Sequence, residues 1–382
     1  MHPLKVVLTI LFVASCALPA SARTWRIRVD GSGDAPTIMA AVDSCANYDS
    51  ILVAPGTYTW TNQDTQPNNQ FTMIQFKRGL TYVSLISEAG PQATILDAET
   101  QGRVLVTEGQ NYLNVDGFTM RGGRAPALGL PIGGCMILHD CHDTYRNCIF
   151  TENSANTGGV AWVGGVAEPS FIDCEFSYNT GVVGGALFLV NTNTPITIRG
   201  CRFHHNTADN GGGAVYMVHV PAIVEDCVFA FNRAPQGGAI YMREMWYANV
   251  TRCTLVRNEG SVAGAFYVLA SPGISIDRTI VAYGGEGTPY VVSNSTVTIS
   301  CTDTYRNPIS NDIPATAIDG GGNFTADPLF CGSVDSMNYS LAFGSPCLPG
   351  GTSCGQIGAF GQGCVPTSVE TRTWGQIKAM YR

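Results

Sequence analysis

The chain has few charged residues, since Asp, Glu, Lys and Arg together make up 13% of its 382 residues. Basic residues are fewer than acidic residues, with 21 Lys and Arg against 29 Asp and Glu, which gives a formal net charge of −8. Nucleic acids and anionic membranes reward basic patches, so this balance argues against both as partners. It also offers no special attraction to polyanionic glycans.

Long apolar runs are missing as well. After residue 22 no segment has the roughly 20 apolar residues of a transmembrane helix, so we expect no transmembrane segment in the mature chain. The apolar run at 6–18 is too short to span a membrane, follows a single cation and precedes the small residues Ala20, Ser21 and Ala22. These features predict a signal peptide over 1–22, cleaved near Ala22, and a secreted or cell-surface protein. A lipoprotein box that ends at Cys16 is the alternative.

Helix-length amphipathic runs are absent from the middle of the chain, where a unit of about 26 residues repeats instead. Its marker residues are the cysteines Cys148, Cys174, Cys201, Cys227 and Cys253. Two residues after each cysteine is Phe150, Phe176, Phe203, Phe229 or Leu255, and five residues after it is Asn153, Asn179, Asn206, Asn232 or Asn258. A glycine followed by a short apolar run completes each copy, as in "GALFL" at 185–189.

Each repeat therefore holds short β-type segments separated by Asn and Gly. Such units cannot bury an apolar face alone, but they can do so by stacking into a parallel β-helix with coils about 4.8 Å apart. We expect the Phe slot to stack inside and the Gly to close a corner. The Asn should adopt a left-handed turn conformation and bond its copies in the coils above and below. We expect free buried thiols at the cysteine slot, since a ladder of five cannot pair fully.

The two ends of the repeat region differ from its middle. Near the N-terminus, Asp34 is a plausible N-cap and Pro36 a first-turn residue of a helix that carries Ile38 and Ala41 on one face, which predicts a capping helix. Residues 331–364 contain four cysteines, which predicts a disulfide-stapled C-terminal cap with Cys347 and Cys354 as the expected short bridge.

The sequence thus predicts an all-β, single-domain right-handed parallel β-helix, a single-stranded solenoid of about a dozen coils, over residues 23–364. The repeats are clear at 143–283, and we expect a monomer. The tail 365–382 belongs to no coil; it is either a docking or sorting peptide or a helix that packs on the cap.

Two known families share these patterns. The segment "DGSGDAPTIMAAVDS" with "ILVAPGTY" resembles the opening of pectate-lyase-like and pectin-methylesterase-like right-handed β-helices. The F-x-x-N and G-G-A repeats resemble those of chlamydial-type polymorphic outer-membrane proteins. This resemblance implies a fold rather than a chemistry, because the shared motifs are turns and core positions. The "QDT" at 63–65 lies in a polar loop, so we interpret its match to the methylesterase site as chance.

Residues next to the cysteine slot should point outward, and this predicts one acidic cluster. Its members are Asp173, Glu175, Arg202 and Asp226. In a β-helix lyase, clustered carboxylates hold calcium against an acidic sugar and a basic group takes the proton. A solvated ladder of ion pairs around Arg202 is the alternative.

The segment "HDCHD" at 139–143 packs ligand-type residues together. Alternate side chains of an extended segment diverge, so we predict no metal site there.

An aromatic column offers a second candidate surface. Three residues after each conserved glycine is Trp162, Phe188, Tyr216, Tyr241 or Tyr267. Both faces of this strand are apolar, so either the aromatic or the aliphatic residues must leave the core. If the aromatic residues point outward, they could bind sugar rings or another protein. If they point inward, they are a core stack.

Taken together, these patterns favour a non-catalytic recognition or structural protein that binds glycans or cell-surface partners, without a cofactor. The alternative is a carbohydrate-active enzyme, a polyuronate lyase or a glycoside hydrolase, that uses the acidic cluster; calcium is expected only for the lyase.

Overall fold

The structure is a computed structural model that describes residues 22–63, 71–76, 79–109, 112–126 and 130–364. The predicted signal peptide, apart from Ala22, and the tail 365–382 lie outside these residues. Among the helices in the described ranges, none is both long and apolar enough to cross a membrane.

Three long parallel sheets wind around one core, and one turn through all three is a coil. Sheet I consists of the twelve strands Thr24–Ile27, Ser50–Val53, Ser84–Ser87, Asn114–Asp116, Thr144–Arg146, Ser170–Ile172, Ile196–Arg199, Ala222–Glu225, Ala248–Thr251, Ile274–Asp277, Val297–Ser300 and Ile318–Asp319. Sheet II consists of Gly56–Thr59, Thr94–Asp97, Thr119–Arg121, Ile149–Thr151, Glu175–Ser177, Arg202–His204, Val228–Ala230, Thr254–Val256, Ile280–Ala282 and Asp303–Tyr305.

Sheet III consists of Thr72–Phe76, Arg103–Glu108, Met136–His139, Ala161–Gly164, Leu187–Val190, Val215–Val218, Ile240–Arg243, Ala263–Leu269 and Thr288–Ser293. A three-stranded sheet of Ser154–Thr157, Thr180–Val183 and Thr207–Gly211 lies between sheets II and III in sequence. The remaining elements are the helix Ile38–Ser44, the 3-10 helix Val334–Ser336 and the paired strands Leu341–Ala342 and Gln362–Cys364.

Each repeat unit pairs in register with the next, so equivalent side chains stack along the axis. Phe176 pairs with Phe203, their ring centroids are 4.4 Å apart, and both rings are fully buried. Phe203 and Phe229 continue the stack at 4.8 Å. The parallel β-helix predicted from the sequence is confirmed, with the right-handed winding that parallel crossover connections adopt.

The asparagines form the expected ladder, but they do not take the left-handed backbone. Asn179 Nδ2 donates to Asn206 Oδ1 at 2.9 Å, and the backbone N–H of Asn179 donates to the same oxygen at 3.1 Å. The residue before each asparagine has the positive φ, as at Tyr178 with φ 55° and His205 with φ 55°. The left-handed residue comes one position earlier because the asparagine must keep its amide inside the stack of coils. The prediction that the asparagine itself is left-handed was therefore wrong.

The conserved glycines close the corner because no Cβ fits. A Cβ on Gly185 would collide with the carbonyl oxygen of Gly213 in the next coil. The two backbones approach each other so closely at this point that only glycine, which has no Cβ, fits.

The cysteine ladder consists of free thiols, as predicted. Cys148, Cys174, Cys201, Cys227 and Cys253 are all buried and unbridged. Burial raises the pKa of the Cys148 and Cys227 thiols well above the ordinary value, so both are held neutral.

The N-terminal helix caps the first coils with Ile38, Ala41 and Val42 buried, as expected. Its N-cap is Thr37, whose hydroxyl accepts from the Ala40 N–H at 3.1 Å, so the assignment to Asp34 was wrong. The placement of Pro36 in the first turn was also wrong, because Pro36 precedes the N-cap. Asp34 instead accepts from the backbone N–H of Arg26 at 2.8 Å.

The C-terminal cap is stapled by Cys301–Cys354 and Cys331–Cys364. The predicted Cys347–Cys354 bridge was wrong. Cys347 is buried with its thiol 3.3 Å from Asp303 Oδ2, while Cys354 bridges to the coil that contains Cys301.

Candidate functional site

The outer face of sheet II carries two of the four charged residues predicted as a site, Glu175 and Arg202, while Asp173 and Asp226 lie just before strands of this sheet. Glu175 and Arg202 are register partners on neighbouring strands, and Ser177 pairs with His204. Phe176 and Phe203 between them point into the core, so the alternating geometry of a strand turns Glu175, Arg202 and His204 outward. The predicted outward orientation of Glu175 and Arg202 is confirmed.

The C-terminal segment 330–360 folds back over the far half of this face. Tyr339 is buried against Val228, Ala230 and Val256 of sheet II, with Phe330, Met337 and Phe360 packed around the same cluster. The outer face of sheet II is apolar at these coils, so the segment buries a hydrophobic surface that would otherwise be exposed to water. It ends over Arg202, whose guanidinium carbon is 5.2 Å from the centroid of the Phe360 ring.

A groove begins where this segment ends. Its wider part is a cavity of about 320 Å³ lined by Gln92, Asn147, Asp173, Glu175, Arg202 and Phe360, among others. A second cavity of about 160 Å³ continues past Glu175 and Arg202 to His204 and Met337. The two cavities share Glu175 and Arg202 as walls, so these side chains lie at the centre of the groove.

The charges in the groove compensate one another. His204 Nε2 lies 3.2 Å from Glu175 Oε1, and this hydrogen bond, with a smaller contribution from Arg202, lowers the pKa of the Glu175 carboxyl. His204 Nδ1 and His205 Nδ1 are 3.1 Å apart, and burial together with the neighbouring His204 lowers the pKa of His205. Glu175 is therefore held as the carboxylate, and His205 is held neutral.

Asp226 does not join this groove. Its carboxylate forms a two-pronged ion pair with Arg252, from Nε to Oδ1 at 2.6 Å and from the terminal nitrogen to Oδ2 at 2.9 Å. Asp173 lines the groove, so the structure brings together Asp173, Glu175 and Arg202 and separates Asp226 from them. Within the described residues, no group of three or more His, Cys, Asp and Glu is placed to hold a metal ion.

The aromatic column on sheet III points outward, which decides between the two orientations left open by the sequence. Trp162, Phe188, Tyr216 and Tyr267 are half-buried, whereas Leu187, Val215 and Ile240 beside them are in the core. Tyr241 is only 5% exposed because it is stacked on Tyr216 at 4.2 Å and on Tyr267 at 4.9 Å. The ring faces are occupied by neighbouring rings, so the column presents edges and hydroxyls to a partner; glycan binding by these five residues stays a prediction.

The side chains of "HDCHD" diverge, as expected. His139 contacts Asp140 at 3.2 Å, and His142 contacts Glu168 of the next coil at 3.1 Å, while Cys141 and Asp143 are buried. In "QDT", Gln63 is buried and its Oε1 accepts from the N–H of Ile38, which gives it a structural role; residues 64 and 65 lie outside the described part.

Sequence reasoning missed Phe360, Met337 and His204 as parts of the groove. The segment that supplies Phe360 and Met337 has no repeat, so no spacing indicated which coil it would contact. The only signal in the sequence for the path of this segment was its cysteines. A disulfide from Cys354 to one of the last coils requires the segment to lie along the side of the β-helix.

No protein-family model matches this chain, and a search of curated proteins finds no significant match. Among solved structures, the chain is similar to the crystal structure of pectate lyase Pel9A, with a TM-score of 0.49 and 14% identity over 90% of this chain and 97% of that chain. It is also similar to the catalytic unit of the thermostable GH87 alpha-1,3-glucanase from Streptomyces thermodiastaticus strain HF3-3, with a TM-score of 0.39 and 15% identity over 82% of this chain and 71% of that chain. At these identities and scores we attach no chemistry of those proteins to this chain.

Proposed function

We propose that this protein is an exported recognition protein that binds a segment of polysaccharide in the groove on sheet II and does not cleave it. The observation that carries the proposal is the cavity in which Arg202 lies against the ring of Phe360 with Glu175 in the same wall. An aromatic ring beside a few convergent polar groups is the usual composition of a ligand site.

The shape of the groove favours a polymer over a compact ligand. Its walls come from four coils, which contribute Gln92, Asn147, Asp173 and Arg202. Coils of a β-helix are about 4.8 Å apart, so a groove of this kind extends along the axis for roughly 20 Å. An extended chain with ring faces for Phe360 and hydroxyls for Asn147 and Asp173 matches that shape.

The protonation state of Glu175 favours binding over hydrolysis. A general acid of a glycosidase needs a raised pKa so that it still carries its proton at working pH. The pKa of Glu175 is shifted the other way, by the hydrogen bond from His204. A fixed carboxylate of this kind accepts strong hydrogen bonds from sugar hydroxyls instead.

A carbohydrate-active enzyme is the second candidate, favoured by the imidazole of His204 beside the cation of Arg202. In a lyase, an imidazole could take a proton while a cation neutralises the sugar carboxylate. A bound calcium ion is expected only if the protein is such a lyase.

The test is titration of the purified protein with a panel of neutral and acidic oligosaccharides, with and without calcium, while unsaturated and reducing-end products are followed. We expect binding without product, at least about tenfold weaker in Arg202→Gln. The exposed Arg199→Gln, on sheet I, is the matched control and should bind normally. Catalytic release of products that Arg202→Gln abolishes would replace this proposal with the enzyme, and unchanged binding in Arg202→Gln would overturn the site.

A further inference from the structure

A second column of stacked aromatic rings lies on the surface of the N-terminal coils, at the turn that precedes sheet I. The ring centroids of Tyr48 and Tyr82 are 5.2 Å apart, those of Tyr82 and Tyr112 are 4.9 Å apart, and those of Tyr112 and His142 are 4.8 Å apart. The tyrosines are 61%, 50% and 40% exposed. These rings are far more exposed than Tyr241 on sheet III, so solvent or a ligand reaches them.

A column of short polar side chains runs beside these rings. Two residues after each ring is an outward residue of sheet I: Ser50, Ser84, Asn114 or Thr144. The same column begins at Thr24 and continues through Ser170 and Thr197 before it reaches Ile223. Each of these side chains offers both a donor and an acceptor. We call the four rings and the four polar residues beside them the tyrosine strip.

We propose that the tyrosine strip is a binding site for an extended, neutral polysaccharide, separate from the groove on sheet II. Sugar rings have apolar C–H faces and hydroxyl edges, and the strip offers the exposed edges of stacked aromatic rings beside hydroxyl or amide groups in a parallel column. Both columns repeat with each coil, so they present the same pair of contacts to successive units of a polymer.

The charge of the strip selects a neutral ligand. Among its eight side chains only His142 can carry a charge, and it is bonded to the Glu168 carboxylate at 3.1 Å. The whole chain has a formal net charge of −8. An anionic polysaccharide would find no cationic column to pair with here and would be repelled by the rest of the protein.

The area of the strip argues against a second copy of the chain as the occupant. A strip four coils long and one strand wide covers on the order of 200 Å², whereas a stable protein interface buries about 800 Å² on each partner. The strip is too narrow for such an interface but wide enough for a single polysaccharide chain.

The experiment compares binding of neutral glucan, xylan, mannan and chitin oligosaccharides by the whole protein and by strip variants. Tyr82 has a φ of 59°, a left-handed conformation that asparagine tolerates, so Tyr82→Asn combined with Tyr112→Ala removes two rings with little backbone cost. Asn114→Lys adds a long charged side chain to the polar column. Tyr247→Ala removes an exposed tyrosine outside the strip and is the control.

We expect the Kd for a neutral oligosaccharide to rise at least about tenfold in both strip variants and to be unchanged in Tyr247→Ala, with all three substitutions measured in an Arg202→Gln background so that the groove does not contribute. Normal binding by folded strip variants would overturn the inference. So would a wild-type protein that binds only anionic oligosaccharides, or a strip variant that loses self-association instead. Because the strip and the groove share no residue, Arg202→Gln reports on the groove and the strip variants report on this inference.

Discussion

The guanidinium of Arg202 lies under the ring of Phe360, with 5.2 Å between the guanidinium carbon and the ring centroid, although the two residues are far apart in the chain. Arg202 belongs to the repeat and Phe360 to the segment that folds back over sheet II. This contact joins the regular part of the molecule to its irregular end. It places an aromatic ring against a charged side chain on the outer face of sheet II.

Removal of the Cys331–Cys364 disulfide should loosen the wall of the groove more than the coils. In a Cys331→Ala/Cys364→Ala variant, the bridge that closes this part of the chain is lost, and we expect a loss of about 2–4 kcal/mol in the stability of the cap. Hydrogen exchange should rise over 328–364 and stay low across the coils that contain Cys148 to Cys253. The control is Cys45→Ala, which removes a free thiol. An equal rise in exchange throughout the protein would contradict the separation of cap and coils.

The asparagine ladder should be sensitive to the loss of one member. Asn206→Ala removes the oxygen that accepts from the backbone N–H and Nδ2 of Asn179, and the amide that donates to the Phe176 carbonyl. Buried polar groups without partners cost about 1–3 kcal/mol each, so we expect the free energy of unfolding to fall by at least about 3 kcal/mol. Asn210→Ala, at an exposed position nearby, should change it by less than about 0.5 kcal/mol. Similar denaturation midpoints for the two variants would show that the ladder contributes little.

Two buried carboxyls should make the protein more stable as the pH falls from neutral to mildly acidic. Burial raises the pKa of Asp143 and of Asp303 to about 6, from the ordinary value of 3.8. The folded chain therefore binds these protons more tightly than the unfolded chain does. The stabilisation is complete below the unfolded value and is lost as the pH rises through about 6. We expect the free energy of unfolding in urea to increase from about pH 7 to about pH 5.

The variants Asp143→Asn and Asp303→Asn should each flatten this dependence, since an amide does not titrate. Asp34→Asn is the control, because Asp34 is an exposed carboxyl. A pH dependence that both buried-site variants retain in full would rule out these carboxyls as its source.

The outer aromatic column on sheet III should stabilise the coils most strongly at its middle. Tyr241 has a neighbouring ring on each side, so Tyr241→Ala removes two stacked contacts and most of a buried side chain. We expect a loss of about 2–4 kcal/mol in the free energy of unfolding. Tyr267→Ala should cost less, because Tyr267 is more exposed. A larger loss for Tyr267→Ala would contradict this view of the column.

The repeat explains why so much of the fold could be predicted. The spacing of Phe176, Phe203 and Phe229 determines the register, and register determines which side chains stack. The same reasoning predicted the free thiols and the outward position of Glu175 and Arg202. It could not predict that the left-handed turn falls at Tyr178 rather than Asn179, because that depends on which backbone position lets the amide reach the next coil.

The features that escaped prediction lie where the period of about 26 residues does not hold. Phe360 and Cys354 belong to a segment without repeats, whose path depends on which part of sheet II is apolar. Tyr48, Tyr82 and Tyr112 lie on the N-terminal coils, which are longer than the later ones, so no constant spacing aligned them. Their common position before strands of sheet I becomes visible only once the coils are stacked.

The measurement that tests the central claim most directly is the affinity of Phe360→Ala for the oligosaccharide that the wild-type protein binds in the groove. Phe343→Ala is the matched control, because Phe343 is an exposed phenylalanine of the same C-terminal segment. We predict a Kd at least about tenfold higher for Phe360→Ala and unchanged for Phe343→Ala, with both variants folded. Equal affinity of Phe360→Ala and wild type would contradict the account of the groove as the binding site.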